Sequence, residues 1–270
     1  MIARQTWLFR KLRILTKWVV GLRVPDFGSA YLAYHPDSYA MVQGQPDFRE
    51  LVRRFTRHNR RNNGGDLVRL WTFLLNLQQI LREEVPGDFA ELGVWRGNTA
   101  SVLAHYARAS HRKVVLFDTF EGFDPRDMQG IDATKTMEFS DTSERLVTEV
   151  IGDASVVCEF VKGRFPQSLR PEHRRLYAAV SLDCDLYEPM HAGLEFFYEH
   201  LSPGGMMLIH DYANPAGEGV RVAVDEFCSS TGEAAVLIGD KSGTAIIRKA
   251  RGRVPVRVDR GAPTSPPPSA

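Results

Sequence analysis

From Asp66 onward the chain alternates between two apolar patterns. Leu67, Leu70, Trp71, Leu74, Leu75, Gln78 and Leu81 follow the i, i+3, i+4, i+7 spacing of a helix with one buried face. Asp66 stands where an N-cap is expected, and Pro86-Gly87 ends the pattern. Short apolar runs then recur as FAELGV, VVLFD, VVCEFVKG, YAAVSLDCD, GGMMLIHDY, AAVLIG and TAIIRK. With helical patterns between most of them, they predict an α/β fold: a doubly wound, mainly parallel seven-stranded sheet with helices on both faces. The last two runs are separated only by the turn GDKSGT, Gly239 to Thr244, which predicts a terminal hairpin. A further helix is predicted from Pro189, with Met190, Leu194, Phe197 and Leu201 facing the core and the SPGG at Ser202–Gly205 as its stop.

Upstream the pattern changes. Residues 1–65 read as an Arg-rich extension with little strand character, and Arg53–Gly65 as a basic loop. Within the extension, Trp7–Val24 alternates Arg10, Lys11, Arg13, Lys17 and Arg23 with large apolar residues. That basic amphipathic pattern suits either packing against protein or contact with an anionic membrane surface. Tyr31, Tyr34, His35, Tyr39 and Met41 are candidate lid residues. Residues 66–250 form the expected main domain, and 251–270, ending APTSPPPSA, the expected disordered tail.

Charge narrows the function classes. The 34 basic and 33 acidic residues leave a net charge of +1, so no global field draws the chain to nucleic acid. The three cysteines lack metal-ligand spacing and leave one unpaired, as expected for a reducing compartment such as the cytoplasm. No run reaches the roughly 20 apolar residues that span a bilayer.

The candidate chemistry lies where strands end. DFAELGVWRGNT, Asp88 to Thr99, reads as strand, glycine turn and helix start. Gly93 and Gly97 lack the Cβ that would keep a ligand from the backbone, and the helix start favours an anion or carboxylate. Asp118 closes the next strand and can accept the two hydroxyls of a ribose. The three-residue gap between the glycines departs from the dinucleotide fingerprint, and Glu91 disfavours a pyrophosphate. The same carboxylate attracts the sulfonium and amino group of S-adenosylmethionine. A dehydrogenase is therefore the weaker alternative. Asp183 and Asp185 end another strand, and His210, Asp211 and Tyr212 end the one after. Carboxylates gathered at neighbouring strand ends can hold Mg²⁺ or a similar hard cation.

These motifs also carry a resemblance. GDFAELGVWRGNTA, LFDTFEGF, KGRFPQSL, SLDCDLYEPM and LSPGGMMLIHDY, in this order between about Asp66 and Arg248, resemble the macrocin O-methyltransferase family. The resemblance implies the class I methyltransferase fold, S-adenosylmethionine as cofactor, Mg²⁺ held by strand-end acids, and methylation of a sugar hydroxyl. It implies Glu91, Gly93, Trp95, Gly97 and Ser101 as cofactor-loop positions, Asp118 at the ribose, and Thr119 and Phe120 beside the adenine. Asp183 becomes a metal ligand and general base, Asp211 a second ligand, and Asp185 a ligand or a group orienting one. His210 stands where the family usually has an acid. It can serve as a ligand that suits softer cations, or as the base, since an unperturbed imidazole has a pKa near 6.5.

The expected acceptor is a small hydroxylated molecule, a glycoside. The alternatives are a lipid-linked or cell-surface glycan, or a non-catalytic homologue that only binds S-adenosylmethionine. Symmetry makes a homodimer the default assembly.

Overall fold

The computed structural model describes residues 46–63 and 66–252. The chain divides into two compact units, Met1–Arg49 and Glu50–Ala270. The amphipathic segment at 7–24, the five lid candidates and nearly all of the tail lie outside the described residues.

The second unit contains a seven-stranded sheet in the order β3-β2-β1-β4-β5-β7-β6. Its strands are β1 (Asp88–Leu92), β2 (Val114–Asp118), β3 (Cys158–Lys162), β4 (Tyr177–Leu182), β5 (Leu201–Ile209), β6 (Val236–Leu237) and β7 (Ala245–Arg248). Strands β1 to β5 pair in parallel, and β7 runs antiparallel to both β5 and β6. This is the mainly parallel sheet with a terminal hairpin that the pattern predicts. The hairpin is lopsided, because AAVLIG yields a strand of two residues, both exposed.

The longer helices are α1 (Phe48–Thr56), α3 (Leu67–Arg82), α4 (Asn98–Ala109), α5 (Glu144–Ile151), α6 (Tyr187–His200) and α7 (Glu218–Thr231), with a single turn α2 (Arg60–Asn63). Strand order reverses between β1 and β4, so a crevice opens at their carboxyl ends. Phe197 on α6 anchors one side of the core, against the rings of Phe117, Phe165 and Tyr177 at 5.7, 5.9 and 5.3 Å.

Three expectations change. The basic stretch taken as loop is largely helical among the described residues. Arginines account for this: Arg54 donates to the Ile151 carbonyl and Arg57 pairs with Glu149 at 2.6 Å, fastening α1 to α5. Second, the buried stripe of α3 is Arg69, Leu70, Phe73, Leu74, Leu77 and Ile80, rotated from the expected one, because Leu67, Trp71, Leu75 and Leu81 are only half-buried. Third, α6 runs straight into β5 at Leu201, and the SPGG segment is absorbed into the strand by a register shift opposite β4.

Candidate active site

Sheet pairing assembles the site. Beyond the ends of β1, β4 and β5, Gly93 N–H donates to Phe117 O, Asp183 N–H to Leu92 O and His210 N–H to Leu182 O, at 2.9, 2.8 and 2.9 Å. Glu91 pairs in register with Ser181. Glu91, Gly93, Asp183 and His210 therefore meet along one edge. They line a cavity of about 980 Å³, together with Arg69, Trp95, Asn98, Thr99, Asp118, Thr119, Asp185 and Asp211.

The cavity floor is rich in perturbed carboxyls. Glu91 is 1% exposed and its Oε2 has no hydrogen-bond partner. Burial, with the charges of Asp183 and Asp118, pushes its carboxyl well above the usual carboxylate range. Asp185 is likewise raised by burial and by the charges of Asp211 and Asp183. Burial would raise Asp183 too, but His210 and Arg69 outweigh it and hold that carboxyl well below its ordinary value. Trp95, Asp185 and Asp211 all adopt left-handed backbone, at φ 44, 58 and 61°. Such strained residues persist at sites where surrounding contacts fix them.

One ligand atom each from Asp183, His210 and Asp211 lies within 4.8 Å of the others. His210 Nδ1 is 2.8 Å from Asp183 Oδ1 and 2.9 Å from Asp211 Oδ2. Neither contact is aligned as a directed hydrogen bond, and Nε2 has no partner either. An imidazole left so has a ring N–H free for an acceptor or an unprotonated nitrogen free for a metal. Two carboxylates and an imidazole thus fit a divalent cation, and the nitrogen favours Mn²⁺, Co²⁺ or Zn²⁺ over Mg²⁺. Burial and Arg69 work against a charged imidazole, yet the two aspartates push the His210 pKa up to about 10. The two aspartates thus favour a proton on the ring in the cation-free cluster, and a cation bound by the three residues would have to displace it.

The cofactor-loop residues fare unevenly. Glu91, Gly93, Trp95, Asp118 and Thr119 line the cavity, whereas Gly97, Ser101 and Phe120 lie behind its wall. Ser101 is fully buried with its hydroxyl on Asn98 O at 2.7 Å, and Phe120 packs on Phe160. The glycines are needed for internal packing. A Cβ on Gly93 would sit 2.1 Å from Asp183 O, and one on Gly97 2.8 Å from Val147 Cγ1. Asp118 holds the turn itself, accepting Val94 N–H at 2.6 Å, Trp95 N–H at 2.9 Å and Phe120 N–H at 2.6 Å. Both of its oxygens are thus engaged within the turn, Oδ2 by Val94 and Trp95 and Oδ1 by Phe120.

Two features escape the sequence reading. One is Arg69, whose Nη2 reaches Asp183 Oδ2 at 2.5 Å. The only signal is a charge on the face that also carries Phe73, Leu77 and Ile80. The other is a roof formed by the segment between β2 and α5. Trp95 Nε1 donates to Asp141 at 2.8 Å, Arg96 pairs with the same carboxylate, and Phe139 packs edge-on against Trp95 at 5.1 Å. Lys135 Nζ spans to the carbonyl of Ala216 at 2.7 Å. Loop chemistry of this kind has no periodicity to read.

The strand order, the hairpin and the strand-end crevice define the class I methyltransferase fold. The solved structure of the O-methyltransferase NovP has this fold, with a TM-score of 0.64 at 22% identity over 80% of this chain and 100% of that one. The chain belongs to the macrocin O-methyltransferase (TylF) family, whose sequence profile matches residues 65–243. It is similar to the 8-demethyl-8-(2,3-dimethoxy-α-L-rhamnosyl)-tetracenomycin-C 4'-O-methyltransferase of Streptomyces olivaceus, at 31% identity over 54% of this chain and 61% of that protein. It is also similar to the mycinamicin III 3''-O-methyltransferase of Micromonospora griseorubida, at 30% identity over 56% of this chain and 64% of that one. The chain thus spans less than two thirds of the length of these relatives. Among the described residues, no helix is long and apolar enough to cross a membrane.

Proposed function

We propose that the protein transfers a methyl group from S-adenosylmethionine to a hydroxyl of a sugar carried by a natural product. The observation that carries this reading is Glu91: a fully buried carboxylate oxygen without a partner, set between the glycine turn and the strand-end acids. A cationic ligand group is what such an oxygen lacks. The sulfonium and the amino group of S-adenosylmethionine both supply one, and no pyrophosphate does.

The reaction is an in-line displacement in which the acceptor oxygen bonds to the sulfonium methyl as the methyl–sulfur bond breaks. S-Adenosylhomocysteine leaves, and the hydroxyl proton passes to the protein. In the cation-free site, Asp183 Oδ1 is the acceptor of that proton, since Oδ2 is taken by Arg69. Its low basicity suffices, because the attacking oxygen becomes strongly acidic as the new bond forms. Asp183, His210 and Asp211 would hold a divalent cation. Such an ion supplies charge that orients a sugar diol and acidifies its hydroxyl. The Asp185 carboxyl beside this cluster is raised by burial and by the charges of Asp211 and Asp183, which disfavours a further negative charge there. The loop clasped by Trp95, Arg96 and Asp141 lines the cavity on the side of the glycine turn.

The test is incubation with methyl-labelled S-adenosylmethionine and paired acceptors, rhamnosides against simple phenols, with Mn²⁺, with Mg²⁺ and with chelator. Label on the sugar supports the reading. Label confined to phenols, or none while the ligand is bound, removes the sugar assignment.

A further inference from the structure

Arg69 brings a permanent cation to the acid cluster. Its side chain is 6% exposed, its Nη2 lies 2.5 Å from Asp183 Oδ2 and 3.3 Å from Thr99 Oγ1, and its Nε is buried without a partner. The methyl transfer derived above gives this guanidinium no step to perform. A charge is not buried so deeply without a partner that compensates it. Local structure fixes where it points. Asp66 caps α3 and accepts the Arg69 N–H at 3.4 Å, and the guanidinium sits 6.0 Å from the Phe73 ring centre. The Asp183 carboxylate is thereby divided. One oxygen is bound to a fixed cation, and the other faces His210 Nδ1 and, through it, Asp211.

We infer that Arg69 is a positioning residue that sets the cation affinity of the Asp183–His210–Asp211 site. It confines Asp183 to one-oxygen ligation and places a permanent positive charge behind that ligand. The inference rests on the proposed reading of these three residues as metal ligands. Two like charges a few ångströms apart in a partly buried site repel by enough to change a binding constant by tenfold or more. The wild-type site is therefore a weak, readily exchanging one, and removing the charge tightens it. A purely structural arginine has the opposite signature, since losing it loosens the ligand geometry and weakens the ion.

The experiment titrates Mn²⁺ into the full-length protein at fixed pH and ionic strength. Binding is read by calorimetry and by the electron paramagnetic resonance of free Mn²⁺, with thermal melts as the folding control. Arg69→Met removes the charge, Arg69→Gln removes it while keeping a donor for Asp183, and Arg69→Lys keeps the charge. The expected result is Mn²⁺ binding tightened about tenfold or more in the Met and Gln variants. The Lys variant is expected to stay within about threefold of wild type. Should the Met variant not fold, the Gln variant carries the comparison. Unchanged or weaker binding in Gln, with wild-type binding intact, overturns the role of Arg69 and leaves the ligand set standing. No Mn²⁺ binding to any form overturns both.

Discussion

Replacing Glu91 by Gln separates stability from function at a single atom. The carboxyl is 1% exposed, one oxygen has no partner, and burial with two nearby aspartates raises its pKa well above the ordinary 4.5. The folded protein then holds a proton that the unfolded chain has released. Stability of the ligand-free protein must therefore fall as pH rises from about 4.5 to the raised folded value. A single group contributes about 1.4 kcal/mol for each pH unit of that window. Gln has the same shape and nothing to ionise, so the variant loses this slope and is the more stable form at neutral pH. Binding runs the other way. Removing a buried charge that meets a cationic ligand costs about 1.5–3 kcal/mol, or roughly 10- to 100-fold in Kd. Thermal melts across pH 4–8 read the first effect. Paired calorimetric titrations with S-adenosylmethionine and S-adenosylhomocysteine read the second, with the larger loss expected for the cationic sulfonium ligand. Parallel pH profiles for wild type and variant, with unchanged affinities, would refute the reasoning.

Other substitutions probe separate links. Asp183→Asn should abolish turnover while S-adenosylhomocysteine affinity stays within a few fold of wild type, measured by calorimetry beside a methyl-transfer assay. Wild-type-like turnover would remove Asp183 from the chemistry. Gly93→Ala places a Cβ 2.1 Å from Asp183 O at φ +84°, so at least about 2 kcal/mol of stability should be lost in denaturant titration. An unperturbed midpoint would show that the turn relaxes freely. Phe197→Ala empties the centre of an aromatic cluster and should cost about 3–5 kcal/mol by the same method.

Much of the fold was legible because strands and helices carry local signatures. The alternation after Asp66 gave the sheet and its hairpin, and polar residues following apolar runs marked the strand ends where Asp183, His210 and Asp211 converge. What stayed hidden depends on partners distant in sequence. Arg69 looks like any charge on a helix until Asp183 arrives from 114 residues away. Gly93 and Gly97 read as ligand clearance, and the fold adds a second need that the sequence does not show: residues from elsewhere in the chain, Asp183 and Val147, pass too close for a side chain. Helix α3 offers two overlapping apolar stripes, and only tertiary packing decides that the one through Phe73, Leu77 and Ile80 is buried. The pKa of His210 could not be foreseen, since only the fold sets two carboxylates beside its ring.

Calorimetric titration of S-adenosylhomocysteine into the full-length protein, with and without divalent cation, tests the central claim most directly. The expected result is saturable single-site binding in the micromolar range, with a matching rise in melting temperature. A folded protein that gives no heat and no thermal shift under either condition would contradict it, and the cleft around Glu91 would have to serve another ligand.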